Sequence, residues 1–213
     1  MEETTSREKV LKRIRGALMS KTENPYPSLD TDSLLYHAFH DTKDITFAQE
    51  FTKAAGKFIY CENENDLKTN LATLVTERNW QNIHSTEPAI QKLLEEIGIS
   101  LNNDPEKFNQ IQVGITFCEF LIARFGSIMI SAGQRSGRKM NVFPEVHIVL
   151  SKTSQIVPEL KDAFIGMNER YDKNIPSLVS VITGPSRTAD IEKTLVMGAH
   201  GPKELYVFLV DEN

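Results

Sequence analysis

Two short segments of this chain are almost entirely apolar, and they constrain its fold more than any other feature. Leu178–Thr183 and Leu205–Val210 consist largely of aliphatic and aromatic residues. A strand with one solvated face alternates apolar and polar side chains, so these segments predict strands that are covered on both faces. Between them, residues 191–198 carry apolar side chains at helical spacing and end at a glycine. This order predicts a parallel βαβ unit with a right-handed crossover.

From about Asp44 onward, helical and strand patterns alternate along the chain. Helical spacing of apolar residues precedes Gly56 and follows Asn63, Pro88 and Pro158. The apolar stretch over residues 117–123 is compatible with a further helix. The segments that read as strands are Lys57–Cys61, Ile83–Ser85, Gln112–Thr116, Ser127–Ser131 and Val146–Leu150. This alternation predicts an α/β fold with a mostly parallel central sheet and helices on both faces.

Residues 1–43 are expected to form an arm that precedes an α/β domain over residues 44–213. Pro25 and Pro27 interrupt regular helix, and polar residues dominate around them. We therefore interpret residues 21–43 as a linker.

The first part of the arm is basic, since residues 1–21 carry six basic and three acidic side chains. Thr5 and Glu8 have the spacing of a helix capping box. Apolar residues then recur at helical spacing as far as Leu18. The pattern predicts a basic amphipathic helix that docks on its own domain or on a neighbouring subunit. Contact with a membrane surface or with nucleic acid is the alternative.

The composition excludes several classes of protein. The 213 residues carry a net charge of −5, which argues against broad nucleic-acid binding. No apolar run approaches the roughly 20 residues of a membrane span, and no leader pattern precedes the arm. We therefore expect a cytoplasmic protein without a membrane span. Two cysteines, Cys61 and Cys118, cannot supply the four thiolates of an iron–sulfur cluster or a Cys-only zinc site. We expect no metal and no cofactor in this chain.

The segment Gly184–Glu192 is the first candidate site, predicted as a strand–loop–helix. Its opening glycine permits a sharp turn or a close approach to a ligand. Free N–H groups at the predicted helix start, together with the hydroxyls of Ser186 and Thr188, favour an anionic oxygen. Arg187 adds a planar guanidinium suited to a carboxylate or phosphate. In the alternative interpretation the segment is a capped helix, and Arg187 pairs with Asp190.

A second cluster surrounds His200, which lies in a turn constrained by Gly198, Gly201 and Pro202. Its imidazole can exchange a proton near neutral pH. The alternative is a helix C-cap whose histidine donates to a carbonyl. A straight helix of about ten residues is about 15 Å long. We therefore expect this turn at the opposite edge of the sheet from Gly184, unless the helix is irregular or a second subunit closes the site.

A third candidate is an additional anion loop formed by Gly126 and Ser127 with Arg135 and Arg138. Glycines and basic side chains in this stretch could cradle a phosphate, but they match no nucleotide-binding motif. A solvated hairpin loop explains the same residues. His147 lies inside a predicted strand and is interpreted as a core residue.

The run Ile182–Pro202 and the apolar segment after it resemble the lactate-utilisation protein C family, whose members contain a LUD domain. The resemblance is carried by Ser-Arg-Thr-Ala-Asp-Ile-Glu at residues 186–192, by Gly-x-His-Gly-Pro at residues 198–202 and by the final apolar strand. Weaker similarity extends back through Gly126-Ser127 and Pro144–Leu150.

The resemblance implies a fold like that of ribose-phosphate isomerases and CoA transferases. It also implies membership of a three-component system that oxidises L-lactate to pyruvate, in which Cys-rich and iron–sulfur proteins are the partners. This chain is then the subunit without its own iron–sulfur cluster, and it binds a small organic anion at Gly184–Glu192 with His200 and Gly201 nearby. The resemblance assigns no catalytic residue, and the chain could also form a homo-oligomer.

One departure from the family pattern is visible. Family members often carry an acidic residue and Thr-Gly before the strand, whereas this chain has Arg124-Phe125 before Gly126. An activity that depends on that acid would be lost or altered here. Two other functions stay open. One is a stand-alone enzyme acting on a phosphorylated or CoA-linked substrate, and the other is a non-catalytic assembly or regulatory module.

Overall fold

The computed structural model describes residues 5–19, 28, 38–102, 111–191 and 194–212. Contacts divide the chain into two units, Met1–Ala38 and Phe39–Asn213. The predicted linker over residues 21–43 falls largely outside the described residues. In the described part, no helix is long and apolar enough to span a bilayer.

The elements are numbered in chain order. The helices are α1 (Ser6–Met19), α2 (Lys43–Lys53), α3 (Glu64–Glu77), α4 (Pro88–Glu96) and α5 (Leu160–Arg170). The strands from the first half are β1 (Lys57–Cys61), β2 (Ile83–His84), β3 (Val113–Phe117), β4 (Phe120–Ile122) and β5 (Ser127–Ser131). The later strands are β6 (Val146–Lys152), β7 (Ile156–Val157), β8 (Val179–Ile182), β9 (Arg187–Ile191), β10 (Thr194–Met197) and β11 (Glu204–Val210).

The first unit contains helix α1, whose start confirms the predicted capping box. The Glu8 carboxylate accepts from the Thr5 amide at 2.8 Å, and the Glu8 amide donates to the Thr5 hydroxyl at 3.3 Å. The apolar side chains of Val10, Leu11 and Ile14 are exposed.

A five-stranded sheet in the order β1-β11-β6-β3-β2 forms the centre of the second unit. Every pairing within it is parallel. This confirms the predicted parallel central sheet. Strand β11 lies between β1 and β6 and is buried along nearly its whole length, as its apolar sequence predicts.

The two faces of this sheet are covered differently. On one face, α3 and α4 pack with the sheet around a core that includes Leu71, Leu94 and Phe208. On the other face lie α2 and a second sheet in the order β7-β4-β5-β8, with Phe51 and Val207 in the shared core. Helix α5 covers the far side of the second sheet. The second sheet therefore takes a place that the sequence had assigned to helices.

Local signals explain the helix boundaries that were predicted. The Asn63 side chain accepts from the amides of Asn65 and Asp66 at 3.0 Å, which satisfies free N–H groups at the start of α3. Pro88 is the first residue of α4, where its missing N–H costs nothing. Helix α2 buries Phe47 and Phe51 at the i, i+4 spacing of one helical face.

The stretch over residues 117–123 is not a helix, because it contains strand β4. Leu121 belongs to the core between the two sheets, whereas Phe120 and Ile122 belong to the core under α5. Both faces of this strand are buried, so its sequence shows no polar alternation. Periodicity cannot distinguish such a strand from a buried helix.

The predicted βαβ unit is also wrong. Strands β9 (Arg187–Ile191) and β10 (Thr194–Met197) pair antiparallel, and Met197 pairs with Arg187. The segment contains several β-branched residues, among them Thr188, Thr194 and Val196, which favour strands. Strand β8 lies at the edge of the second sheet, antiparallel to β5, and is not a neighbour of β11.

Two glycines hold the second sheet close to helix α2. Gly126 has φ +55°, and a Cβ atom there would lie 2.1 Å from the Phe51 amide nitrogen. Gly184 has φ +76°, and a Cβ atom there would lie 2.1 Å from the Ala54 carbonyl oxygen. Both glycines therefore permit backbone to pack directly on backbone, in a conformation that other residues adopt at a cost.

We expect Gly184→Ala to lower the free energy of unfolding by about 2–5 kcal/mol, because it adds a backbone clash to the strain of a positive φ. Gly98→Ala is the matched control, since Gly98 has φ +73° and open space around it. Its expected loss is about 1–2 kcal/mol. Urea denaturation of both variants measures the difference, and equal losses would show that the contact with Ala54 is unimportant.

Strand β6 carries one fully buried histidine at the centre of the molecule. The Nε2 atom of His147 lies 2.9 Å from the Thr116 hydroxyl. Burial disfavours the imidazolium and lowers the pKa of His147 to about 4. The side chain is therefore neutral at physiological pH.

This pKa predicts a pH-dependent stability. The unfolded chain takes up a proton near pH 6.5, whereas folded His147 stays neutral until about pH 4. The free energy of unfolding should therefore fall by about 3 kcal/mol as the pH drops from 6.5 to 4. The control is His147→Gln. Carboxyl groups titrate in both proteins, so their contribution cancels in the difference between the two free energies of unfolding. A difference in free energy that does not change with pH would contradict the assignment.

Candidate functional site

The two motif segments that the sequence singles out meet in space. The Ser186 amide donates to the Pro202 carbonyl at 2.8 Å, and the Gly198 amide donates to the Ser186 carbonyl at 2.9 Å. The β9–β10 hairpin produces this contact, because its second strand returns the chain to the point where the first began. The expectation that Gly184 and His200 lie at opposite edges of the sheet is therefore wrong.

Together the two segments line a cavity of about 280 Å³, here called the inner cavity. It lies at the amino ends of β6 and β11, between the parallel sheet and strand β8. Its principal lining residues are Asn141, Val142, His147, Ser180, Gly184, Pro185, Ser186, His200, Gly201 and Pro202. The site is thus built from three separate parts of the chain, within residues 141–147, 180–186 and 200–205.

Two buried polar atoms in the lining have no hydrogen-bond partner among the described residues. They are Nδ1 of His147 and Oδ1 of Asn141. Buried polar atoms are nearly always paired with protein or water, so unpaired ones call for an explanation. Both residues line the inner cavity, but these two atoms are themselves buried from its open space.

The inner cavity opens toward a wider depression of about 720 Å³, here called the outer basin. The two share Val142, His200 and Gly201. His200 and Val142 are exposed, whereas His147 and Pro202 are buried. His200 therefore lies at the mouth of the inner cavity, where the two meet, and His147 lies on its buried side.

Only some residues of the first candidate site line the inner cavity. Ser186 lines the inner cavity, but Gly184 packs on helix α2 as well as lining it. Arg187 is exposed at the start of β9 and does not line the described walls of the inner cavity or the outer basin. Because β9 replaces the predicted helix, the helix N-terminus that was to bind the anion does not exist.

The remaining residues of that site lie along the hairpin. Thr188 is half-buried and pairs with Val196 across the hairpin. The side chain of Asp190 lies outside the described part of the structure, so the alternative ion pair with Arg187 stays a prediction.

The additional anion loop is not assembled. Strand β5 begins at Ser127, directly after Gly126, whereas Arg135 and Arg138 come after the end of the strand. Five extended residues span about 16 Å, so the glycine and serine positions lie far from the two arginines along the strand. Ser127 shares a 2.7 Å hydrogen bond with the Thr183 hydroxyl, and Arg138 donates to Ser177 at 2.7 Å. The loop joins strands of different sheets, so it is not a hairpin loop either.

Arg124, which departs from the family pattern, has a structural role. Its guanidinium donates twice to the Glu159 carboxylate, at 2.6 and 2.9 Å, and lies 4.1 Å from the centre of the Phe39 ring. These contacts tie the turn after β4 to the start of α5.

Two other polar regions are self-contained. The buried Glu119 carboxylate accepts from Ser131 and Tyr171 at 2.6 Å and pairs with Arg170, which completes its hydrogen bonding.

A cavity of about 690 Å³ at the carboxyl ends of the parallel strands is flanked by the ion pairs Lys68–Glu96 and Lys152–Glu212. Ligands of parallel sheets often bind at that edge. Its lining contains no unpaired buried polar atom among the described residues.

Sequence reasoning missed Asn141 and Ser180 and interpreted His147 as an ordinary core residue. One signal was present, because His147 is the only polar side chain in the segment Val146–Leu150. Asn141 gave no such signal, since it lies in an irregular loop where polar residues are common.

Comparison with known proteins agrees with this architecture. The chain is 39% identical over 105 residues to lactate utilization protein C of Geobacillus sp. (strain WCH70), covering 48% of this chain and 44% of that protein. It is 33% identical over 133 residues to the protein of the same name from Geobacillus thermodenitrificans, covering 61% and 55%. The chain spans about half the length of these curated relatives.

A longer match and a solved structure extend the comparison. The chain is 26% identical over 186 residues to lactate utilization protein C of Bacillus licheniformis, covering 86% of this chain and 72% of that protein. The crystal structure of a DUF162 family protein from Deinococcus radiodurans superposes with a TM-score of 0.60 at 16% identity, covering 79% of this chain and 96% of that one. That likeness shows a shared fold.

The LUD domain profile matches residues 46–210, which take in the parallel sheet, the second sheet and both motif segments. The match covers well over half of the chain and includes the residues that carried the resemblance in the sequence. This protein therefore belongs to the LUD domain family.

Proposed function

We propose that this chain is the component of a lactate-utilisation system that binds a small organic acid in the inner cavity. The names of its relatives supply the pathway, since they are lactate utilization proteins C. The observation that carries the proposal is the meeting of the two family motifs, Gly184–Ser186 and His200–Pro202, on one cavity.

The charges around the cavity favour a small, singly charged acid. No Arg or Lys belongs to the described lining of the inner cavity. A phosphate or pyrophosphate is usually bound by such cations or by a row of free amides. The Ser186 hydroxyl and the His200 imidazole lie at or near the mouth and can donate to a single carboxylate. This arrangement argues against the phosphorylated or CoA-linked substrate of the alternative function.

Oxidation of L-lactate to pyruvate removes two electrons and two protons, so it needs an electron acceptor. We place that acceptor in iron–sulfur partner proteins. Cys61 and Cys118 do not fit a cluster, because they are buried in the separate cores on opposite faces of the parallel sheet. Burial beside Glu119 raises the pKa of the Cys118 thiol to about 12, so it is not a ready thiolate ligand.

The binding proposal predicts that wild-type chain binds L-lactate and that Ser186→Ala and His200→Gln each weaken the affinity about tenfold. Each substitution removes one hydrogen bond to the carboxylate, and a charge-assisted bond contributes about 1.5–3 kcal/mol. Arg187→Ala should change the affinity less than threefold, because an exposed cation is screened by salt. Ligand-detected NMR titration at constant ionic strength measures all four proteins.

His40→Gln is the matched control, because His40 is also exposed but lines neither the inner cavity nor the outer basin. It should bind L-lactate as the wild type does. The proposal fails if no variant differs from wild type, or if Arg187→Ala alone abolishes binding.

The assembly proposal predicts that the chain co-purifies with iron–sulfur lactate-utilisation proteins of the same organism. Tagged chain and untagged partners should elute together from a size-exclusion column at micromolar concentration, with the visible absorbance of the cluster in the same peak. The partner without the chain is the control for its own elution volume. Separate elution of folded proteins would contradict assembly and favour a chain that acts alone.

A further inference from the structure

We propose that the outer basin is a docking socket for a partner protein that presents an acidic residue beside an apolar side chain. The inference rests on the assembly part of the proposed function and deepens it, because it says where the iron–sulfur partner sits. The outer basin shares His200 with the inner cavity. A partner in the socket therefore covers the mouth and lies next to an acid bound inside.

Exposed apolar side chains flank the outer basin on two sides. Val142 and Phe143 line it from the loop before β6, and they are 44% and 54% exposed. Met197 ends β10 directly before the lining residue Gly198 and is 37% exposed. Single apolar residues on a surface are common, but several around one concavity indicate an interaction site.

Arg187 gives this surface a positive charge. It pairs with Met197 across the hairpin, so the two side chains lie on the same face beside the basin. The Arg187 side chain is exposed, and it forms no ion pair among the residues that the structure describes. Aromatic residues, Met and Arg are enriched in protein interfaces, and a guanidinium binds a carboxylate through two parallel hydrogen bonds. We therefore expect the partner to place an Asp or Glu at this position.

The loop that carries the apolar pair is anchored on both sides. Met140 and Pro144, which flank Val142 and Phe143 in the sequence, are buried, and both side chains pack over Gly114. The exposed pair is therefore held outward by a fixed loop. A surface that is already ordered loses little conformational entropy when a partner binds.

The shape and charge of the basin favour a protein over a lipid surface or a nucleic acid. Its apolar residues surround a concavity of about 720 Å³, which a flat bilayer does not enter but a protein loop can. Lys203 and Glu145 in the lining pair with each other at 2.9 Å. The charge of Arg187 beside them therefore requires a single carboxylate rather than a polyanion. The net charge of −5 also opposes binding to an anionic surface.

The test is the affinity of the full-length chain for the iron–sulfur lactate-utilisation protein of the same organism, measured by biolayer interferometry. Phe143→Ala and Arg187→Glu should each raise the Kd at least about tenfold, because each changes a central contact of the interface. Matched controls lie on α5, which covers the far side of the second sheet. Phe164→Ala and Lys161→Glu make the same kinds of change at exposed positions there and should alter the Kd less than about twofold.

Two further readouts separate docking from a general loss of structure. The affinity of wild type for the partner should fall as the salt concentration rises, and Arg187→Glu should remove this dependence. Phe143→Ala and Arg187→Glu should bind L-lactate as wild type does, because neither residue lines the described walls of the inner cavity. Ser186→Ala should do the reverse, weakening L-lactate binding and leaving the partner's affinity unchanged.

The outcomes distinguish this inference from the proposed function. If the partner binds and the α5 variants weaken it as much as the basin variants do, the socket is wrong and assembly stands. If the partner does not bind wild type, the socket and assembly are both overturned, while the L-lactate titration still decides the acid-binding function. Binding to anionic phospholipid vesicles that Phe143→Ala abolishes would identify a membrane contact and overturn the socket.

Discussion

The parallel pairing of β11 between β1 and β6 fixes the positions of the residues that line the inner cavity at the start of these strands. Seven consecutive residues of β11 pair with β6 and five with β1, so the strand cannot shift by one residue without exchanging its two buried faces. Hydrogen bonds from the amides of Lys203 and Glu204 to the Glu145 carbonyl extend this pairing beyond the strand start. The turn around His200 is therefore fixed at the amino edge of the sheet, beside His147.

The hairpin of β9 and β10 connects this fixed edge to the second sheet. Strand β8 ends at Ile182, and Gly184 then packs on the backbone after helix α2. The chain leaves from there as the hairpin and returns at Gly198. The backbone of Ser186 forms hydrogen bonds with both Gly198 and Pro202, so the two ends of the hairpin lie side by side. Together they form one wall of the cavity. The family motif is thus one structural unit, although eleven residues separate Ser186 from Gly198.

Much of this fold is predictable from the sequence because local signals and burial agree. The Thr5–Glu8 box, the Asn63 cap, Pro88 and the apolar segment of β11 each act on their own neighbours, and each prediction holds. The failures occur where tertiary packing decides. Strand β4 is buried on both faces, so its pattern resembles a helix. Residues 191–198 show helical spacing, although strands β9 and β10 pair in this part of the chain.

The residues of the candidate site also fall into those that local sequence signals identify and those that only tertiary packing brings together. Ser186, His200 and Gly201 were identified because they lie in a motif, and the structure brings them to one cavity. Arg187 was identified for its charge, but its exposed position follows from β9, which the sequence had assigned to a helix. Asn141 and His147 are separated in sequence from the motif, and only the packing of the loop onto β6 places them in the same lining.

The central claim is that a small organic acid binds in the inner cavity, where the two motif segments meet. A crystal structure of the chain grown with L-lactate tests it most directly. The account predicts density for the acid in the inner cavity, with its carboxylate within hydrogen-bond distance of Ser186 or His200. Density for ordered water alone at saturating L-lactate, or for the acid outside this cavity, would contradict it.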